Sequence, residues 1–173
     1  MCRRILPVIL LAPILFFSCK KNDVIADKSS GSNGENSGNV VYNVNKTELL
    51  QLVNDVRTKG CTCGTTAMPA VGTVVWNDQL AKAAFDHSAD MNTNNYFSHT
   101  GLDGSDPGQR ITAAGYSWNS WGENIANGFT TEQAVMNAWL GSEGHCKNIM
   151  NAGFKDMGAG REGNYWTQDF GSQ

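Results

Sequence analysis

Ten of the eleven residues from Ser29 to Asn39 are Ser, Gly or Asn, the exception being Glu35. A segment of that composition has no apolar side chains to bury and behaves as a flexible coil. It divides the chain. The folding unit must begin after it, near Tyr42, and run to Gln173, which leaves 132 residues. One hydrophobic core can stabilise a unit of that size without help. No internal repeat is visible in it.

What precedes the tract reads as a targeting segment. Arg3 and Arg4 form a basic start, and Ile5 to Phe17 is an apolar run of thirteen residues broken only by Pro7 and Pro13. That is short for a membrane span and suited to the apolar region of a signal peptide. Ser18-Cys19 follows directly, with Lys20-Lys21-Asn22-Asp23 behind it. A small residue before Cys at this place resembles a bacterial lipobox. The expected organisation is therefore a lipoprotein-type signal over 1–18, a linker over 19–41 with Cys19 lipidated at its start, and a folded domain over 42–173. The alternative is a plain secretory signal. Either way the chain is expected to be exported, touching a membrane only through its N-terminal lipid.

Charge excludes some partners. The chain has 13 Lys and Arg against 16 Asp and Glu, and the segment from Tyr42 onward carries a net charge of −5. A general nucleic-acid binder needs a basic surface, and so does a protein docked electrostatically on anionic lipid.

Periodicity places the elements. Asn45 with Glu48 reads as a helix start, and Leu49, Leu52, Val53 and Val56 recur at helical spacing up to Gly60. A Gly/Thr/Pro-rich loop leads to a short apolar strand at Val74–Trp76. Asn77 caps a second helix to about Asn95. Asp103 to Ala114 reads as a turn and a short helix, with Pro107 near its start. Trp121–Ala126 reads as a strand, and Thr130 with Gln133 as the capping box of the next helix. A short helix from about Glu143 to Met150 follows, then two strands, Phe154–Gly160 and Asn164–Phe170, around a Gly163-Asn164 turn. Helices and strands alternate without a βαβ repeat, which favours an α+β layered domain.

Cys61, Cys63 and Cys146 remain in the folded unit, an odd number for an oxidising compartment. The expected arrangement is one disulfide from the Cys61/Cys63 pair to Cys146, with one thiol left over. A Cys61–Cys63 ring is strained. The alternatives are a metal site from the three cysteines with His145, and a catalytic thiol at Cys146. Of the three histidines, His87 lies on the inner stripe of its helix and reads as a core residue bonded to backbone. His99 stands at a helix-to-loop exit, His145 at the start of a short helix, and Glu123 inside a strand, where an isolated charge needs a partner. Two histidines with Glu123 and Glu143 can hold a divalent metal or work as acid and base. His99, Glu123 and His145 lie 24 and 22 residues apart, with Glu143 two residues before His145, and the set forms no local metal signature.

Longer blocks narrow the reading. Tyr96-Phe97-Ser98-His99-Thr100, Arg110-Ile111 with Ala114-Gly115-Tyr116, and Gly122-Glu123-Asn124-Ile125-Ala126 resemble the CAP superfamily of cysteine-rich secretory, antigen 5 and pathogenesis-related 1 proteins. Ala138-Trp139-Leu140, Gly144-His145-Cys146-Lys147-Asn148-Ile149-Met150 and the ending Tyr165-Trp166-Thr167-Gln168 are similar to its bacterial branch. The resemblance implies a three-layer α-β-α sandwich with an open cleft, in which two His and two Glu can bind zinc or another divalent metal. Residue by residue it carries over to His99, Glu123 and His145 as the metal core. The family's second Glu falls at Ser142, so Glu143 stands one residue late. Ser98, Tyr116 and Gln168 are further cleft candidates, and Asn124 is expected to fix backbone. Functionally the resemblance implies a monomeric extracytoplasmic binding module for a metal, a small molecule, a lipid or a partner protein. A metal-assisted hydrolase of peptide or envelope material is the second reading.

Overall fold

The computed structural model describes residues 40–173. The expected signal segment, the lipidation at Cys19 and the tract from Ser29 to Asn39 lie outside the described residues. The chain order is β1 (Val40–Val41), β2 (Val44–Asn45), α1 (Lys46–Lys59), β3 (Cys61–Cys63), β4 (Thr66–Met68), β5 (Val75–Trp76), α2 (Asp78–Asn94), α3 (Pro107–Ala113), β6 (Ser120–Asn127), α4 (Glu132–Gly141), α5 (Glu143–Ile149), β7 (Asp156–Glu162) and β8 (Tyr165–Ser172). Among the described residues no helix is long and apolar enough to cross a membrane.

Four strands form the central sheet in the order β5-β7-β8-β6. β5 runs parallel to β7, and the other two pairings are antiparallel. Side chains alternate across a strand, and the sequence uses both faces. Trp166, Phe170, Met157 and Ala159 point into one core with Leu49 and Val53 of α1, Met136 and Trp139 of α4, and Ile149 of α5. Leu80 and Ala83 of α2 meet Ile111 and Tyr116 on the opposite face. Helices on both sides of one mixed sheet make the α-β-α sandwich.

The second layer sits unusually close to the sheet because β7 offers it glycine. A Cβ on Gly158 would lie 2.0 Å from the Ala81 backbone nitrogen, and one on Gly160 would lie 2.3 Å from Phe85 Cα. Backbone packs directly on backbone there, and Ser88 Oγ reaches the Gly160 carbonyl at 3.0 Å and the Thr167 hydroxyl at 2.9 Å. The first layer is clamped by a buried cation instead. Arg57 of α1 is fully buried and has no carboxylate partner among the described residues. Its guanidinium donates to the carbonyls of Gly72, Ile149, Asn151 and Phe154 at 2.7 to 3.2 Å. These bonds tie α1 to the end of α5 and to the loop entering β7.

Local signals set the helix ends. Asn45 Oδ1 accepts from the Glu48 amide, and Asn77 Oδ1 from Gln79 and Leu80. α2 stops at Asn95, whose φ is +54°, a left-handed cap that Asn tolerates. α3 has a complete capping box between Asp106 and Gln109, with Pro107 at its first turn. Three details differ from the sequence expectation. α4 is capped by Thr131, one residue after Thr130, because Thr131 Oγ1 is the atom that accepts from Ala134. The Asn45 amide is held by Glu132 Oε1 at 2.6 Å rather than by Glu48, which joins the starts of α1 and α4. The stretch after Gly60 contains a β3–β4 hairpin where a loop was expected.

Cys63 of that hairpin is bonded to Cys146 of α5, across 83 residues of sequence. Cys61 keeps its thiol. This is the expected pattern of one bridge to Cys146 with one sulfur left over.

Candidate functional site

β6 positions the first group. Alternation turns Glu123 toward the α2–α3 layer and its neighbour Asn124 toward the α5 layer. Glu123 is buried, its side chain 1 % exposed. Both of its carboxylate oxygens are engaged. Oε1 lies 2.6 Å from His99 Nδ1, and Oε2 lies 2.6 Å from Arg110 Nη2.

Arg110 does more than neutralise a charge. From the middle of α3 it also donates to the carbonyls of His99 and Ser105, both at 2.9 Å. It therefore holds both ends of the loop that carries His99. The same loop is held from α2: His87 Nε2 donates to the Ser98 carbonyl at 2.9 Å, since a carbonyl can only accept. His87 is the buried, backbone-bonded histidine expected from its place on the helix. Burial keeps its pKa below the ordinary value, so it is neutral at pH 7.

A carboxylate only accepts hydrogen bonds, so His99 Nδ1 carries the proton given to Glu123. Nε2 is left as the working atom of a ring whose side chain is 51 % exposed. A fixed carboxylate behind a presented imidazole is the arrangement that orients metal-binding and ligand-binding histidines.

Asp169 stands directly across from Glu123 in the β6–β8 ladder. It is almost fully buried, and Oδ1 has no hydrogen-bond partner among the described residues. Burial pushes its pKa well above the ordinary carboxylate range, the Glu123 charge pushes the same way, and Arg110 opposes both. Two facing carboxyls and one guanidinium thus share the floor beneath His99.

His145 approaches from the other layer. Asn124 Nδ2 donates to its backbone carbonyl at 3.2 Å, and Asn148 Nδ2 donates to the Glu123 carbonyl at 3.0 Å and to Asn124 Oδ1 at 2.9 Å. Asn124 fixes backbone, as its sequence context implied. The His145 imidazole is half-buried and has no hydrogen bond or ion pair among the described residues. Burial lowers its pKa, and the nearby His99 lowers it further.

The four candidates are not placed alike. His99 and Glu123 are in contact, and His145 is close enough to feel His99. Glu143 is elsewhere: its carboxylate pairs with Lys147 Nζ at 2.6 Å along α5, and a Cβ on Gly64 would come within 2.6 Å of Oε2. It belongs to the β3–β4 turn. Tyr116 is fully buried and bonded to Asp156, a packing role, and Gln168 is buried against Asn124 in the other layer. Among the described residues, the sulfurs of Cys61, Cys63 and Cys146 are the one set of three metal-capable atoms within 4.8 Å of one another. His99, Glu123 and His145 do not form such a set.

Two groups of the site were not singled out from sequence. The demand for a cation was visible, because a charged Glu inside a strand needs one, and Arg110 is the single arginine between Arg57 and Arg161. Asp169 left no signal, since its position depends on the β6–β8 register.

The model of the cysteine-rich secretory protein (CAP) family matches residues 50–170. The Bacillus subtilis (strain 168) membrane protein YlbC is 31% identical over 130 residues, covering 75% of this chain and 35% of that protein. The chain spans little more than a third of the length of the curated relatives it matches. The structure is similar to that of an extracellular protein containing an SCP domain from Bacillus anthracis str. Ames, with a TM-score of 0.67, 29% identity, and coverage of 83% of this chain and 45% of that one. It is also similar to an outer surface protein of Borrelia burgdorferi, with a TM-score of 0.62, 25% identity, and coverage of 73% and 91%.

Proposed function

The chain belongs to the cysteine-rich secretory protein (CAP) family, and on that premise we propose that it is an exported, lipid-anchored binding module whose ligand meets His99. The observation that supports this reading most is the enclosure of Glu123. One oxygen faces His99 and the other Arg110, each at 2.6 Å, and the side chain is 1 % exposed, so that carboxylate orients a histidine and its remaining lone pairs are screened from water. A metal-assisted hydrolase needs a base that the attacking water can reach, so the arrangement favours binding over turnover.

The residues fit a divalent metal of the zinc type in a specific way. His99 Nε2 and the His145 ring would be the ligands, with Glu123 as the carboxylate behind His99 rather than a ligand itself. The lowered pKa of His145 suits this, because imidazole binds metal when neutral. A bound zinc there would attract anionic or carbonyl groups of a ligand as a Lewis acid.

Export rests on the targeting pattern and on the extracellular and outer-surface placement of the two similar structures. Lipidation of Cys19 predicts globomycin-sensitive processing and partition into the membrane fraction. A Cys19→Ala chain found in the same fraction as wild type would count against it.

Zinc calorimetry near neutral pH tests the cleft. Wild type is expected to bind, His99→Ala and His145→Ala to lose at least tenfold in affinity, and Glu123→Gln to weaken binding without abolishing it. No binding by wild type removes the metal from the proposal. Turnover of a peptide or envelope substrate that disappears in both His99→Ala and Glu123→Ala would establish the hydrolase instead.

A further inference from the structure

A second cluster of chemistry lies in the α1–α5 layer, apart from Glu123 and His99. β3 is a regular strand, so Cys61 and Cys63, two residues apart, project to the same side. Cys146 meets them from α5. Cys63 and Cys146 share the bridge, yet a third sulfur accompanies it. Cys61 Sγ stands 3.8 Å from Cys63 Sγ and 3.7 Å from Cys146 Sγ. A disulfide needs two sulfurs, and its packing does not require a thiol against both of them.

The spacing matches a different chemistry. Thiolates bind zinc at about 2.3 Å in a tetrahedron, whose edge then separates the sulfurs by about 3.8 Å. Cys61 already keeps that distance from both partners. The cluster also has an entrance and an open position. Cys61 is half-buried and, with Cys146, lines a cavity of about 200 Å³ bounded by Asp55, Lys59, Thr62 and Leu140. Water can supply a fourth ligand from that side.

We propose that Cys61, Cys63 and Cys146 form a redox-gated zinc site, closed while the Cys63–Cys146 bridge stands and opened when the bridge is reduced. A dithiol passes two electrons and two protons to the bridge and leaves as its own cyclic disulfide. The Cys63–Cys146 bond breaks and two thiols form. Zinc then displaces three protons to solvent and takes three thiolates. A small disulfide oxidant reverses the sequence: it takes up the electrons, the bridge re-forms, and the ion leaves. Cys61 keeps its sulfur in place in both states, while its partners exchange a bond to each other for bonds to the metal.

The test uses the purified chain under argon, reduced by a water-soluble phosphine, with cobalt(II) as the optical probe. The expected result for reduced wild type is a near-ultraviolet thiolate charge-transfer band that saturates with one equivalent of cobalt beyond any held by the oxidised protein, and that zinc displaces. The oxidised protein shows no band. Reduced Cys61→Ser, which retains both bridge cysteines and folds in its oxidised form, binds at least tenfold more weakly. His99→Ala keeps the band, which separates this site from the cleft. The proposal is overturned if reduced, folded wild type gives no band, or if Cys61→Ser binds as tightly as wild type. Should reduction unfold the chain, the measurement becomes zinc-driven recovery of its circular dichroism. Recovery that Cys61→Ser lacks supports the site, and no recovery in wild type overturns it.

Discussion

Two donors meet one buried carboxylate at Glu123, and the consequences can be measured separately. Arg110 is the cation that makes a charged Glu123 tolerable inside the sheet. Removing one partner of a buried pair leaves the other charge uncompensated, at a cost of about 3 kcal/mol. Arg110→Met should therefore lower stability in urea by about that much, and Arg110→Met with Glu123→Gln should recover part of it. A loss under about 0.5 kcal/mol for the single variant would show that the pair does not carry the strand. The buried titrating groups add a pH dependence whose sign follows from their shifts. His87 and His145 have folded pKa values below the ordinary 6.5. The unfolded chain therefore takes up protons first, and stability is lost as pH falls from about 6.5 toward the folded values. Asp169 acts in the opposite sense. Its folded pKa is raised above the ordinary 3.8, so its contribution is present below that value and is lost as pH rises toward the folded one. The histidine part is isolated by difference: His87→Gln with His145→Gln should flatten the fall below pH about 6.5 in chemical denaturation, relative to wild type. Asp169→Asn should stabilise the protein by about 1 kcal/mol at neutral pH, with the gain shrinking toward pH 4. A gain that grows as pH falls would contradict the raised pKa.

Elements in this protein are joined by backbone contact on one side of the sheet and by side-chain clamps on the other, and substitutions should report the difference. Gly158→Ala forces a methyl to within 2.0 Å of Ala81 N, so α2 must leave β7 or the strand must bend. A loss of at least 3 kcal/mol, or failure to fold, is expected. Gly141→Ala is the matched control, because nothing lies within 4 Å of the new atom and a helical Ala gains about 0.5–1 kcal/mol over Gly. Thermal denaturation of the two variants should shift in opposite directions. The same contrast explains how much was legible in the sequence. Helix starts were visible because Asn45 and Asn77 accept from amides two or three residues on, and Pro107 fixes its own φ in a first turn. The strand pair β7–β8 was visible through alternation around Gly163, whose φ of +56° makes it the turn residue. The β3–β4 hairpin was not, because its strands have three residues each and mix Cys, Thr, Ala and Met with no alternation to detect. The cleft divides in the same way. His99, Glu123 and His145 stand in recognisable local blocks, whereas Asp169 enters only through strand register, and Glu143 is drawn off by Lys147 one helical turn away.

At the scale of the whole molecule, α5 is the piece shared by two chemistries. It carries Cys146 into the bridge with β3, and the next residue toward its N-terminus is His145 of the cleft. Its seven residues are too few for an isolated helix to persist in water, so its order is supplied from outside. Three attachments supply it: the bridge to Cys63, the side-chain amide bonds exchanged with β6, from Asn124 of β6 to the His145 carbonyl and from Asn148 of α5 to the Glu123 carbonyl, and the Arg57 guanidinium on the carbonyls at and just beyond its C-terminus. The sheet and α2 depend on none of these, being held by glycine-mediated contact and ladder hydrogen bonds. Loss of the bridge should therefore be felt unevenly. Closing a loop of this length removes about 4 kcal/mol of chain entropy from the unfolded state, so Cys63→Ala with Cys146→Ala should lower global stability by roughly that amount. Below the global transition, hydrogen exchange should find protection lost first in α5 and β3 and retained in α2, β7 and β8. Zinc affinity at the cleft should fall as well, because His145 then rides on a helix that opens more often, whereas the His99–Glu123–Arg110 contacts stay in place. Uniform loss of protection across all elements would mean that the two layers unfold as one unit, and that the bridge acts on the whole chain rather than through α5.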